Sequence, residues 1–278
     1  MMSLYHKVSQ LCSRITTEEY STSFSSAIRL LHKDLRDPIY NLYGFVRFAD
    51  EIVDTFHGYD KEALLAQFKK ESYEAIEKGI SLNPILHSFQ LTVTNYSISP
   101  DLVEAFFNSM EMDLHKQQYD ANRYQEYIYG SAEVVGLMCL FVFCEGNQQL
   151  YQQLKPYAQS LGAAFQKVNF LRDVKADFNT LNRTYFPDVD FSNFTARKKA
   201  QIEDEIAADF KNAYEGIIQL PWKARFGVYV AYKYYLSLFN KIRKTQPSEI
   251  METRIRIPNY RKAMILVRAG VKNQLKLI

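Results

Sequence analysis

Glycine and proline are scarce in this 278-residue chain, at 10 and 8 residues, and cysteine appears three times. So few turn-forming residues disfavour an all-β chain and suit long helices joined by short loops. Cys12, Cys139 and Cys144 form neither a metal-ligand spacing nor an even-numbered disulfide framework, so a reduced, cytoplasmic protein is expected. Long hydrophobic runs are missing too. The longest, Val134 to Cys144, is bounded by Glu133 and Glu145 and falls well short of the roughly 20 residues a spanning helix needs. It reads as a buried core helix. Met1 to Arg14 is mixed polar and shows no signal peptide. No strong excess of one charge exists either: a net charge of +3 is too small to argue for a nucleic-acid partner. With no low-complexity linker and no fixed-period repeat, one domain over residues 1–278 is expected.

What is plentiful is core-forming material, 47% hydrophobic and 14% aromatic, which rules out a disordered chain. No stretch alternates with period two, so the expected fold class is all-α. Asp37-Pro38 is positioned to open a helix that runs through Ile39, Leu42, Phe45 or Val46, Ala49 and Val53 to a stop at Gly58. A second helix is expected from Pro156 to the polar cluster Asn179-Thr180-Leu181-Asn182. Further helices are read at residues 61–79, 100–119, 123–144, 196–219, 221–244 and 261–277.

Two acidic pairs carry chemistry. Asp50 and Asp54 are one helical turn apart and project from one face. A solvated acidic face would show the same spacing. Here, however, Phe45, Val46, Phe48 and Ala49 precede the pair, and Ile52 and Val53 lie inside it. Acids on so apolar a helix call for an ion or a cationic partner. Paired hard oxygen ligands suit Mg²⁺, and Arg47, one turn earlier, suits a phosphate. On the second helix Gln166, Asn169, Asp173 and Asp177 advance by three, four and four beside Arg172. Leu161, Phe165, Val168 and Leu171 mark the adjacent apolar side. If the two helices face each other, four carboxylates can hold Mg²⁺ ions that bridge to a diphosphate and make it a leaving group.

These stretches resemble a known family. Ser21-Thr22-Ser23-Phe24 followed by LLHKDLRDPIYNLYGFVRFADEIVD is similar to the first signature of squalene and phytoene synthases. QKVNFLRDVKADFNTLNRTYFP, from Gln166 to Pro187, resembles their second signature, and Tyr127 to Gly136 resembles the segment between. The resemblance implies an isoprenoid-synthase-type helical bundle around a central apolar cavity. Asp50, Asp54, Asp173 and Asp177 would be Mg²⁺-binding acids, with two or three ions, supported by Asn169 and Arg172. Arg47 would contact phosphate. Phe24, Tyr129, Gln166 and Tyr235 would line the cavity, and Arg183 and Tyr185 would lie on a flap over the diphosphates. Glu51 stands where the family has an aspartate, and Glu133 where it often has a glycine; a side chain at 133 would shorten or polarise a wall.

The implied reaction is head-to-head joining of two prenyl diphosphates. Phytoene synthase, using two geranylgeranyl diphosphates without NADPH, is preferred, because no Gly-rich dinucleotide fingerprint is present. Squalene or dehydrosqualene synthesis from farnesyl diphosphate is the alternative. A terpene cyclase or head-to-tail prenyltransferase would need a different second motif, and a non-catalytic scaffold relative would be expected to lose acids that are all present here. His57 at a helix end fits the dipole better than a catalytic role, and Met110, Met112 and Asp113 either border the cavity or belong to a plain core helix. The basic segment from Arg254 to Lys276 reads first as a solvated terminal helix, and its charge also suits peripheral contact with anionic lipid.

Overall fold

The computed structural model describes residues 2–115, 119–179, 185–187, 189 and 194–275, with 176–179 as backbone only. Thirteen α-helices and one π-helical turn are present among them, and no strand. In chain order they are α1 (Met2–Tyr20), α2 (Thr22–Ile28), α3 (Lys33–Asp54), α4 (Lys61–Lys78), α5 (Pro84–Tyr96), α6 (Pro100–Leu114), α7 (Ala121–Ile128), the π-turn (Tyr129–Glu133), α8 (Val134–Cys144), α9 (Gln148–Asn179), α10 (Ala196–Ile217), α11 (Trp222–Lys244), α12 (Pro247–Glu252) and α13 (Asn259–Gln274). The architecture is all-α, as expected.

Local chemistry sets many of the boundaries. The side chains of Ser21, Asp60, Asn83, Asp120 and Thr195 accept from backbone N–H groups in the first turns of α2, α4, α5, α7 and α10. Gly79 closes α4 in the left-handed region, at φ 68°. Two helices begin earlier than the sequence suggested. α3 starts at Lys33, so Pro38 sits inside it, and α9 starts at Gln148, with Pro156 inside. A proline there deletes one hydrogen bond and crowds a carbonyl. In α3 the continuous inward face of Leu35, Ile39, Leu42 and Phe45, all buried, outweighs that loss. Gly58 has φ 91° but lies beyond the end of α3 at Asp54, in the following turn.

α1 was not anticipated, and its inner face explains why. Its buried residues are Ser9, Ser13 and Thr17, so no apolar period points inward. Small side chains instead allow close approach: Ser13 Oγ lies 2.7 Å from Ser88 Oγ on α5, and a Cβ added to Gly44 on α3 would sit 2.7 Å from Ser13 Oγ. α2, α5 and α12 are also additions to the expected set.

Residues 121–144 run as one helix interrupted by the π-turn. This stretch is long and apolar enough to cross a membrane, yet 61% of its most apolar window is buried in the protein. It serves as a core helix. At the π-turn Gly130 packs so tightly on α6 that an added Cβ would lie 2.4 Å from the Ala105 carbonyl oxygen. Gly130→Ala is therefore expected to cost about 1–3 kcal/mol as α6 is pushed away. An unchanged melting midpoint in that variant would show that α6 yields freely.

The apolar interior forms two clusters. One is built mainly on α3, α4, α5, α6 and α8. The other is built on α7, α9, α10 and α11, with α13 against it. A cavity opens between them.

Candidate active site

The cavity has a volume of about 620 Å³, within the range of small-molecule sites. Asp50, Asp54, Asp173, Arg47 and Arg172 all line it, so the two acidic helices face a common space. The remainder of the lining is largely apolar. Along α9 a single stripe faces inward: Asp173, Asn169, Gln166 or Phe165, Gly162 or Leu161, Ala158 and Leu154. From Asp173 down to Leu154 this stripe spans about 28 Å at the rise of an α-helix. The polar stripe recognised in the sequence thus continues as an apolar one.

The two acidic pairs are prepared differently. The Asp50 side chain is about a third exposed, and that exposure opens onto the cavity. Burial first, and Asp54 second, push its carboxyl up to about 8 against the opposing pull of Arg47. Arg47 reaches Asp50 only at 3.9 Å, because its guanidinium pairs closely with Glu51 and lies 4.3 Å over the Tyr20 ring. The aspartate-to-glutamate departure at position 51 therefore anchors Arg47. Asp173, by contrast, is spanned by two guanidiniums. Arg172 Nη2 lies 2.5 Å from Oδ2, and Arg254 Nε lies 2.7 Å from Oδ1. Burial opposes the charge on Arg172, and its bonds to Asp173 more than restore it.

Below the acids sits an aromatic layer. Phe165 stacks on Tyr235 at 3.9 Å, and Phe24 lies 5.8 Å from Tyr235 and 5.7 Å from Tyr43. Tyr235 donates to Asn169 Oδ1 at 3.3 Å, and Gln166 donates to Ser131 Oγ at 3.1 Å. Burial raises the phenols of Tyr43, to about 12, and of Tyr235. Both stay neutral, with their π faces available to a cation.

Phe24, Arg47, Asp50, Asp54, Gln166, Asn169, Arg172, Asp173, Tyr185 and Tyr235 are all brought to the cavity. Arg183 and the side chain of Asp177 lie outside the described residues. Tyr129 does not belong to the lining. It packs against the first apolar cluster, while Tyr127 takes the cavity position. Residues two apart on a helix point about 200° apart, so only one of the two tyrosines can face inward. Tyr127 donates to Asp113 Oδ2 at 2.6 Å, and Tyr185 to Oδ1 at 3.4 Å. Asp113 and Met110 line the cavity, whereas Met112 packs into the second cluster. Glu133 also turns away from the cavity and accepts from Gln159 Nε2 at 2.8 Å, so it neither shortens nor polarises a wall.

Tyr43 and Arg254 were missed. Tyr43 was legible, since it extends the stripe 43, 47, 50 and 54 by one more turn. Arg254 was not: it arrives on the segment after α12, with no local motif.

Among the described residues no three His, Cys, Asp or Glu side chains converge into a protein cage. Mg²⁺ does not require one, because one or two carboxylates, waters and substrate phosphates complete its shell. Asp50 fits such an ion: its charged form is disfavoured in the walled cavity, and a divalent cation would remove that penalty. Asp54 on the same face fits as its partner. Asn169 Oδ1, bonded to Tyr235, keeps a second lone pair for a cation.

Comparison with known proteins agrees with this geometry. The squalene/phytoene synthase family model matches residues 17–261. The chain is 26% identical to a phytoene synthase of Arthrospira platensis, over 95% of this chain and 92% of that protein. It is 24% identical to a 4,4'-diapophytoene synthase of Staphylococcus haemolyticus, over 77% of this chain and 74% of that protein. In fold it is similar to a crystallised dehydrosqualene synthase, with a TM-score of 0.83, 20% identity and 98% of each chain covered. Members of the family are head-to-head prenyltransferases. Matched by the family model over most of its length, the chain belongs to the squalene/phytoene synthase family.

Proposed function

We propose that this protein joins two geranylgeranyl diphosphates head to head, releasing both diphosphates to give phytoene without NADPH. The observation that carries this reading is one continuous cavity that begins at paired acids and arginines and ends in apolar side chains. Fully extended, a farnesyl tail reaches about 14 Å and a geranylgeranyl tail about 19 Å, taking about 1.3 Å per main-chain bond. The lined stripe of α9, about 28 Å long, accommodates the longer tail with its diphosphate at the acids.

Asp50 and Asp54, with Asp173, Asp177 and Asn169 opposite, would hold Mg²⁺, which would supply Lewis-acid charge to a diphosphate leaving group. The residues of the chain do the rest. Arg47, Arg172 and Arg254 receive phosphate oxygens as the allylic C–O bond breaks. The neutral faces of Phe24, Tyr43, Phe165 and Tyr235 flank the resulting allylic cation and exclude water. The C2–C3 double bond of the second molecule attacks that cation, and loss of a proton gives a cyclopropylcarbinyl diphosphate. Departure of the second diphosphate drives rearrangement, and loss of a further proton gives phytoene.

A second reading is favoured by the Staphylococcus relative named 4,4'-diapophytoene synthase: farnesyl diphosphate as substrate and a C30 product. Incubation of purified protein with each diphosphate, with and without NADPH, followed by product identification, separates the two. A C40 hydrocarbon formed without NADPH is expected. A C30 product alone would replace the preferred substrate, and no hydrocarbon from either diphosphate would remove the enzymatic reading.

A further inference from the structure

Residues 253–276 contain seven lysines and arginines and no acid, in a chain that otherwise carries 31 aspartates and glutamates. α13 lies within this segment. Its inner face, Ile265, Leu266 and the buried Ala269, packs on the second apolar cluster. Its outer face is apolar as well. Tyr260, Met264, Val267, Val271 and Leu275 are 46–69% exposed and, at about 100° per residue, fall within an arc of about 80°. Arg261, Arg268 and Lys272, all exposed, run along one flank of that stripe. A helix with a second apolar face, flanked on one side by basic residues and on neither side by an acid, matches the interfacial region of an anionic bilayer.

Lys262 Nζ reaches Thr22 Oγ1 at 3.2 Å, beside Ser21 and Phe24 of the cavity lining. Arg254, just before α13, reaches Asp173. The inner side of α13 therefore lies next to the acidic end of the cavity, and the stripe is on the opposite side of the helix. α1 exposes a similarly spaced stripe, Leu4, Val8, Leu11 and Ile15, but charges of both signs flank it (Lys7, Arg14, Glu18 and Glu19), and nothing indicates what would cover it.

We infer that α13 is a docking surface for an anionic lipid membrane: Tyr260, Met264, Val267, Val271 and Leu275 enter the interface while Arg261, Arg268 and Lys272 meet lipid phosphates. Docked in this way, the protein is held at the bilayer, the phase in which a greasy substrate or product resides.

The test is co-sedimentation of the full chain with phosphatidylcholine vesicles and with mixed phosphatidylcholine–phosphatidylglycerol vesicles, without substrate. Its outcome is therefore independent of the catalytic reading. Binding to the mixed vesicles alone, released by high salt, is expected. Replacing Arg261, Arg268 and Lys272 together by glutamine should weaken it on the order of a hundredfold, at about tenfold or less per charge. Val267→Glu should abolish insertion, and Val267→Ser should weaken it, with helical circular dichroism unchanged in each variant. Absence of binding at low ionic strength, or equal binding by all variants, overturns the inference. So does a concentration-dependent dimer that ignores vesicles and is dissociated by Val267→Glu, which would assign the stripe to a second copy of the chain.

Discussion

Asp50→Asn is expected to lower turnover on the order of a thousandfold, the scale of losing one preorganised electrostatic group, while raising the melting temperature of the metal-free protein at pH 8. The two effects share one cause. Burial and Asp54 hold the Asp50 carboxyl at about 8, far above an ordinary aspartate. A folded-state pKa raised in this way means that folding takes up a proton. The stability this contributes is fully present below about pH 4 and is lost as pH rises through about 8. Asparagine cannot ionise, so the variant should lose that part of the pH dependence. Mg²⁺ bound at Asp50 would act on the same charge. Its stabilisation of the wild-type protein should grow with pH across this window and should be much smaller in the variant. Thermal melts from pH 5 to about 9, with EDTA or with Mg²⁺, measure both effects. Superimposable curves for wild type and variant under every condition would detach Asp50 from the cation site.

Ala158→Phe is expected to discriminate between the two tails. Ala158 faces the cavity from α9, about 22 Å from Asp173 along the helix. A phenyl ring there fills space that only the far end of a long chain would use. The last isoprene unit of a geranylgeranyl tail adds five carbons, each worth about 0.8 kcal/mol when buried. Denying that unit its pocket should lower kcat/KM for geranylgeranyl diphosphate about a hundredfold or more, with less than about a tenfold effect on farnesyl diphosphate. Steady-state kinetics on both substrates decide the matter. Equal losses would mean that the deep end of the cavity does not hold the tail.

Most of the helices, and the acids of the site, were legible in the sequence because both depend on spacing within one helix. Asp50 and Asp54, or Asn169 and Asp173, stand one turn apart wherever their helix goes. Elements whose inward face is not apolar escaped that logic. α1 buries Ser9, Ser13 and Thr17, so its sequence carries no inward hydrophobic period, and only the close approach to α3 and α5 accounts for it. The Tyr127–Tyr129 exchange has a related origin. Both lie in the same motif-like stretch, and packing of Tyr129 on the first apolar cluster leaves Tyr127 facing the cavity.

By itself, the sequence determined the all-α class, the four acids on two helices and the resemblance to a diphosphate-using family. These rest on composition, on the 3.6-residue period and on local motifs, all of which act within a few turns. Tertiary structure alone decided how the acids are prepared. Asp50 is left with a distant arginine because Glu51 and the Tyr20 ring hold Arg47, and Asp173 gains a second guanidinium from Arg254 on a remote segment. It also decided that the α9 stripe continues inward as a long apolar wall and that the outer face of α13 stays exposed. Burial and contacts between distant segments set these properties, and neither has a fixed spacing along the chain.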